Sequence, residues 1–251
     1  MGAWGRQRSL ACALLGAASV AVAQPVPAPA TADSGWSGDL AFGLQLSGST
    51  YISRRTTADA DVAYRQGQYQ LLGELAFDRE VVKVEGQPLE VDRDRYDVNL
   101  KVRRYLDDPA VFLFVSPRFR HNANGYYVTT RALRLGGGWV ARPSDTLTLT
   151  LEGATGYRTA GLQGGGRVNE ALWGARAQLR WQLSESVQLR ANLAHEQSAL
   201  ERYRTVDLGL RTKLSAHLGV LVKASYERGY PFSSTARSAE TELDVSLSYA
   251  L

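Results

Sequence analysis

The chain has 251 residues, 44% of them hydrophobic and 22% charged, with a formal net charge of +4 at pH 7. That length holds one large β domain or two small ones, and so small a net charge specifies no nucleic acid or other polyanionic partner. The one cysteine, Cys12, leaves no pair for an internal disulfide and no cysteine cluster for a metal.

At the N-terminus, Arg6 and Arg8 precede an apolar run over residues 10–22, and Ala21-Val22-Ala23 supplies the small side chains that a signal peptidase accepts. Cleavage is expected after Ala23, which makes residues 1–23 a signal peptide. The run is too short to span a bilayer, and no later segment reaches the roughly 18 uninterrupted apolar residues of a transmembrane helix. Cys12 falls inside the signal behind Ser9-Leu10-Ala11, a poor lipoprotein acylation box, so the exported chain carries no thiol nucleophile. Residues 24–35, opening "QPVPAPATADS", read as an extended Pro/Ala-rich periplasmic leader. Residues 36–251 remain for the folded domain.

From Trp36 onward apolar and polar residues alternate with a period of two, the pattern of strands and not of helices. Twelve runs are predicted, at 36–48, 54–64, 69–78, 95–105, 111–120, 130–140, 146–158, 170–183, 187–196, 202–214, 218–227 and 238–251. In "DTLTLTLEGATGYR" (145–158), Leu147, Leu149 and Leu151 take one face while Thr146, Thr148, Thr150 and Glu152 take the other. Tight connectors at 65–68, 106–110, 142–145, 184–186 and 215–217 alternate with longer ones at 79–94, 159–169 and 228–237 and loops near 48–53, 121–129 and 197–201. An even number of strands, with short turns on the side of both termini, is the arrangement of bacterial outer-membrane barrels. The fold read from the sequence is all-β: a transmembrane antiparallel up-and-down β-barrel of twelve strands.

Aromatic residues on the apolar face gather in two belts. Trp36, Tyr64, Tyr69, Trp139, Trp181 and Tyr249 lie near the short-turn ends, and Phe77, Tyr96, Phe119, Tyr157, Trp173 and Tyr226 near the long-loop ends. Amphipathic rings favour the two membrane interfaces, whereas a soluble core would hold its large rings centrally. The opposite face is too charged to meet hydrocarbon, so it must be wet or paired. The last run, "TELDVSLSYAL", resembles the C-terminal assembly signal of such barrels, although Leu251 stands where an aromatic residue is usual. Pro117, unable to donate a backbone hydrogen bond, is expected at a bulge or strand end.

If strand order follows sequence, the inward charges divide into two walls. Strands twelve, one, two and three bring Asp39, Asp59, Asp61, Glu74, Asp78, Glu242 and Asp244. Strands four to eleven bring Lys101, Arg103, Arg118, Arg120, Arg134, Arg176, Arg180, Arg190, Arg211, Lys213 and Lys223. A water-filled lumen between such walls would pass ions or small acidic solutes; in a narrow one the walls would meet as ion pairs and close the passage. Twelve strands lie between the filled and the open sizes, and the closed reading is preferred.

Three histidines raise an enzyme reading. His195, in "LAHEQS", falls on the outer face near the loop rim, where some outer-membrane lipid hydrolases place a histidine, but Gln197 stands where their serine would be and Ser198 points the other way. A ring near lipid head groups is the favoured role for it. His121 and His217 fall in a loop and a turn with no orienting carboxylate. The carboxylates around residues 80–94 lack metal-ligand spacing, and "LGGGW" (135–139) and "QGGGR" (163–167) do not join a strand to a helix as phosphate loops do. Gly136 to Gly138 are read as relieving crowding and bending the strand. No cofactor and no metal is expected.

Four stretches, "WSGDLAFGLQLSGST" (36–50), "YDVNLKVRRYL" (96–106), "LRLGGGWVAR" (133–142) with "LTLEGATGYR" (149–158), and the "YPF" loop with "DVSLSYAL", resemble the uncharacterised salt-induced outer-membrane proteins of Gram-negative bacteria, a family defined by a domain of unknown function. Ser49-Thr50 replaces a Gly-Asn usual there. The resemblance implies an outer-membrane barrel, a link to salt or envelope stress, and no functional residue. The expected protein is a monomer in contact with outer-membrane lipid and lipopolysaccharide, inserted by the barrel-assembly machinery. Three function classes are read: a structural or stress-associated envelope barrel, a narrow charge-selective pore, and, remotely, a lipid hydrolase.

Overall fold

Alternating side chains can meet two different solvents at once if the backbone stays extended and every strand finds a partner on both edges. The computed structural model describes residues 35–48, 51–84, 90–125, 127–231 and 238–250. They form β1 (Gly35–Gly48), β2 (Tyr51–Gln66), β3 (Tyr69–Val84), β4 (Glu90–Tyr105), β5 (Val111–Asn122), β6 (Tyr127–Ser144), β7 (Leu147–Leu162), β8 (Arg167–Gln182), β9 (Val187–Ser198), β10 (Glu201–Lys213), β11 (Leu218–Pro231) and β12 (Ser238–Ala250). Each strand pairs antiparallel with its chain neighbours, and β12 returns to β1 to close a twelve-stranded barrel. The signal, the leader up to residue 34, and Leu251 lie outside the described residues.

The predicted loops need correction. Most of 79–94 and 159–169 is strand, as is the start of 228–237: β3 continues to Val84, β4 starts at Glu90, β7 reaches Leu162 and β11 reaches Pro231. Arg54 pairs with Val81 and Glu80 with Arg93, with a register shift between Glu80 and Val81. Beyond the hydrocarbon both faces of a strand meet water, so alternation fades while the hydrogen-bonded ladder goes on. His121, expected in a loop, belongs to β5 for the same reason and stacks on Tyr96 with ring centroids 4.7 Å apart. The difference between the two ends of the barrel is one of strand reach more than of loop length.

The apolar phase faces out. Leu243 is 70% exposed, Leu135 58% and Leu151 42%, with the same character repeated around the wall. Exposed apolar surface this continuous fits a hydrocarbon solvent. Along β3 the rings of Tyr69 and Phe77 stand eight residues apart, about 20 Å of height for a strand tilted by about 40°. Phe77, Tyr96, Tyr157, Trp173 and Tyr226 therefore lie well below the strand tips, where the sequence reading put them near the strand ends.

Inside the turn end, Tyr105, Phe112, Phe114 and Val140 form a small buried cluster. The alternation that sends Val111, Leu113 and Val115 outward turns Phe112 and Phe114 inward, opposite Gly138 and Gly136. A Cβ at Gly136 would meet the Phe114 ring at 2.7 Å, and one at Gly138 would strike Phe112. The glycines make room for these rings, which the sequence reading did not identify. Gly138→Val is expected to lower stability by about 1–3 kcal/mol through overpacking, measured by urea unfolding in lipid vesicles. Gly67, at φ 56° in the β2–β3 turn, adopts a backbone that side chains disfavour.

Pro117 sits at neither a bulge nor a strand end. The β4–β5 ladder runs from Arg95↔Asn122 to Asn99↔Arg118 and resumes at Val102↔Val115 in the same register, so the proline occupies an interruption without a shift.

Candidate functional site: the charge-paired interior

Inward positions two residues apart on each strand build ladders of polar side chains, and closure brings ladders of non-adjacent strands together. Nearest the turn end, Lys101 and Arg103 of β4 both reach Glu152 of β7, at 2.7 and 2.5 Å. All three are buried. Lys101 lies over the Phe114 ring at 4.9 Å and Arg103 over Phe112 at 4.5 Å, so the aromatic cluster and the ion pair form one partition. Tyr105 donates its hydroxyl to Gln70 at 3.0 Å, and Arg65 covers its ring. Across from this partition, Asp39 of β1 accepts from Arg190 of β9 at 2.5 Å and from Arg211 of β10.

At mid-height Arg176 of β8 spans to Glu74 of β3 at 3.2 Å. The Arg176 Nε donates to Asn192, which donates to Asp207, and Asn99 donates to Glu74. Lys223 stands 3.8 Å from Asp59, a looser pair, and Asp61 keeps 62% of its side chain exposed 3.6 Å from Arg190. Higher up, Asp97 takes Arg118 and Arg120, and Arg134 of β6 reaches Glu196 of β9. Arg158 of β7 holds Glu170 of β8 and reaches Glu201 of β10 at 3.2 Å. On the other flank Arg55 of β2 binds Asp78 at 2.8 Å and Glu242 of β12 at 2.9 Å, while Arg93 of β4 binds Asp78 and Glu240.

The division into two walls is thus incomplete. Arg55 stands within the acidic arc, and Asp97, Glu152, Glu170, Glu196, Glu201 and Asp207 are interspersed among the basic residues. Arg55, Asp97 and Asp207 lie two or four residues from inward positions already named, so following the phase would have found them. Arg93, Glu170, Glu201 and Glu240 fall at or beyond the predicted strand ends. Arg180 and Lys213 are exposed near the turn end and take part in no ion pair among the described residues.

On the outer face His195 meets Trp173 edge-on at 5.3 Å, and His217 stacks on Tyr249 at 5.6 Å. Ser198 is buried inside, where its hydroxyl accepts from Arg158 at 3.2 Å and donates to the Glu201 carbonyl at 3.3 Å. The histidine and the serine are on opposite sides of the wall. Trp36 and Tyr64 pack at 5.0 Å beside the turn end. No group of three or more His, Cys, Asp or Glu is placed to hold a metal among the described residues.

An apolar exterior around a polar, ion-paired interior defines an integral β-barrel of the bacterial outer membrane. Residues 40–251 match the family described as "Protein of unknown function, DUF481", and the chain belongs to it. No curated protein matches it. Among solved structures it is similar to an outer membrane channel from Pseudomonas putida F1, at 9% identity over 86% of this chain and 94% of that one, with a TM-score of 0.51. It is also similar to the translocator domain of autotransporter NalP from Neisseria meningitidis, at 14% identity over 85% and 86% of the chains and a TM-score of 0.47. The NanC porin gives 9% identity over 85% and 98%, with a TM-score of 0.48. At such identities the likeness is one of fold.

Proposed function

We propose that this protein is a structural barrel of the envelope whose lumen is shut at rest by ion pairs between non-adjacent strands. The observation that carries this reading is Glu152, which draws Lys101 and Arg103 across the lumen against Phe112 and Phe114. A buried ion pair gains little over apolar packing, but losing one partner is costly, so a network of this kind fixes shape more than it adds stability. In this reading outer-membrane lipid and lipopolysaccharide contact the outward rings, and the assembly machinery recognises β12. The separation of His195 from Ser198 speaks against a hydrolase.

The wild-type protein in a planar bilayer is expected to give no stepwise conductance; regular single-channel steps would overturn the closed reading. One observation favours a narrow pore as the second reading: the looser side around Asp59, Asp61 and Lys223, where Asp61 stays open to water. For that reading, Asp59→Asn with Asp61→Asn is expected to move the reversal potential in a salt gradient toward anion preference. An unchanged potential would remove these residues from any conduction path.

A further inference from the structure

Among the described residues, the ladder that closes the barrel is the shortest. β1 and β12 pair from Asp39↔Ala250 to Phe42↔Leu247, whereas β1 pairs with β2 along its whole length. Above Phe42 the pairing stops. A cleft of about 260 Å³ opens there, with Leu44, Leu243 and Val245 on the outward side and Arg55, Thr57 and Asp244 on the inward side. The apolar lip belongs to the outward surface, and above Phe42↔Leu247 neither edge has a ladder partner on this side.

An added strand does not fit this gap at its base. A Cβ at Gly43 would stand 3.7 Å from the Cβ of Ser246, so the edges there are about one strand spacing apart. The floor of the cleft is polar in a specific way. Arg55 spends its Nε and one Nη on Asp78 and Glu242, and turns the other Nη toward Asp244 at 3.7 Å, beyond hydrogen-bond reach. A cation and a carboxylate thus face the opening with bonding capacity left over.

We infer that the β1–β12 seam is a lateral binding site for one phospholipid with a zwitterionic head group. Its phosphate meets Arg55, its ammonium meets Asp244, and one acyl chain lies along Leu44, Leu243 and Val245. The lipid's polar atoms also accept from the edge amides that lack a strand. The site stands apart from whether the lumen conducts.

Native mass spectrometry of the detergent-purified barrel with phosphatidylethanolamine and phosphatidylglycerol of identical acyl chains tests this. Wild type is expected to retain a single phosphatidylethanolamine in about tenfold preference, the scale of one hydrogen bond to a charged group. Asp244→Asn should bring the two lipids near parity, and Leu243→Trp, which puts a ring in the cleft mouth, should lower retention of both several-fold. Equal retention by wild type, an unchanged preference in Asp244→Asn, or full retention in Leu243→Trp would each overturn the site. A dimer mass that persists without lipid would give the seam to a second copy and overturn it as well.

Discussion

Glu152→Ala is expected to lower the unfolding free energy in lipid vesicles by about 3–5 kcal/mol, the cost of leaving buried charges without their partner. The loss is large because one carboxylate serves two cations, Lys101 and Arg103, and all three are buried beside Phe112 and Phe114. Neither cation can turn to water without leaving its ring. The same substitution should introduce stepwise, anion-preferring conductance, since it removes the carboxylate that pairs both Lys101 and Arg103 and frees two positive charges. Glu152→Leu combined with Lys101→Met and Arg103→Met should recover most of the stability, as apolar replacements for buried ion groups do. If Glu152→Ala unfolds at the wild-type urea concentration and stays silent in planar bilayers, the pairing does not hold the lumen shut.

Leu135→Arg should cost about 2–4 kcal/mol in the same assay, the scale for an arginine facing lipid near the bilayer midplane. Leu135 points outward on β6, four residues from Trp139 in one belt and near the level at which Leu133 pairs with Tyr157 in the other. Its neighbour Arg134 is already an arginine, and faces inward to Glu196. One step along the strand therefore moves the same side chain from an ion pair into hydrocarbon. A cost below 0.5 kcal/mol, the range of an ordinary surface change, would mean that this face is wet.

The strand count, the barrel closure and the inward phase were legible because hydrocarbon and water impose opposite demands on adjacent residues. Leu151 and Glu152 make the point: one letter apart, they end on opposite sides of the wall. The reach of the strands was hidden, since Arg79 to Lys83 and Glu90 to Asp94 meet water on both faces and show no contrast. Partners across the lumen were also hidden, because which inward residues meet depends on barrel radius and strand stagger. Nothing in the local pattern ties Arg176 to Glu74, 102 positions away. The inward turn of Phe112 and Phe114 was available from the phase of Arg118 and Arg120, but an aromatic in a polar phase is easily assigned to lipid.

The continuation of β3, β7 and β11 past the upper rings leaves a collar roughly 10–15 Å tall, held by ladder hydrogen bonds on one side of the bilayer. Because Ser198 is followed by Glu201 with just two residues to reverse the chain, a protease meeting the β9–β10 end of this rim encounters stiff, paired backbone that cannot bend into its cleft. Intact cells should keep the protein uncut there under digestion that trims the exposed arches of other envelope proteins.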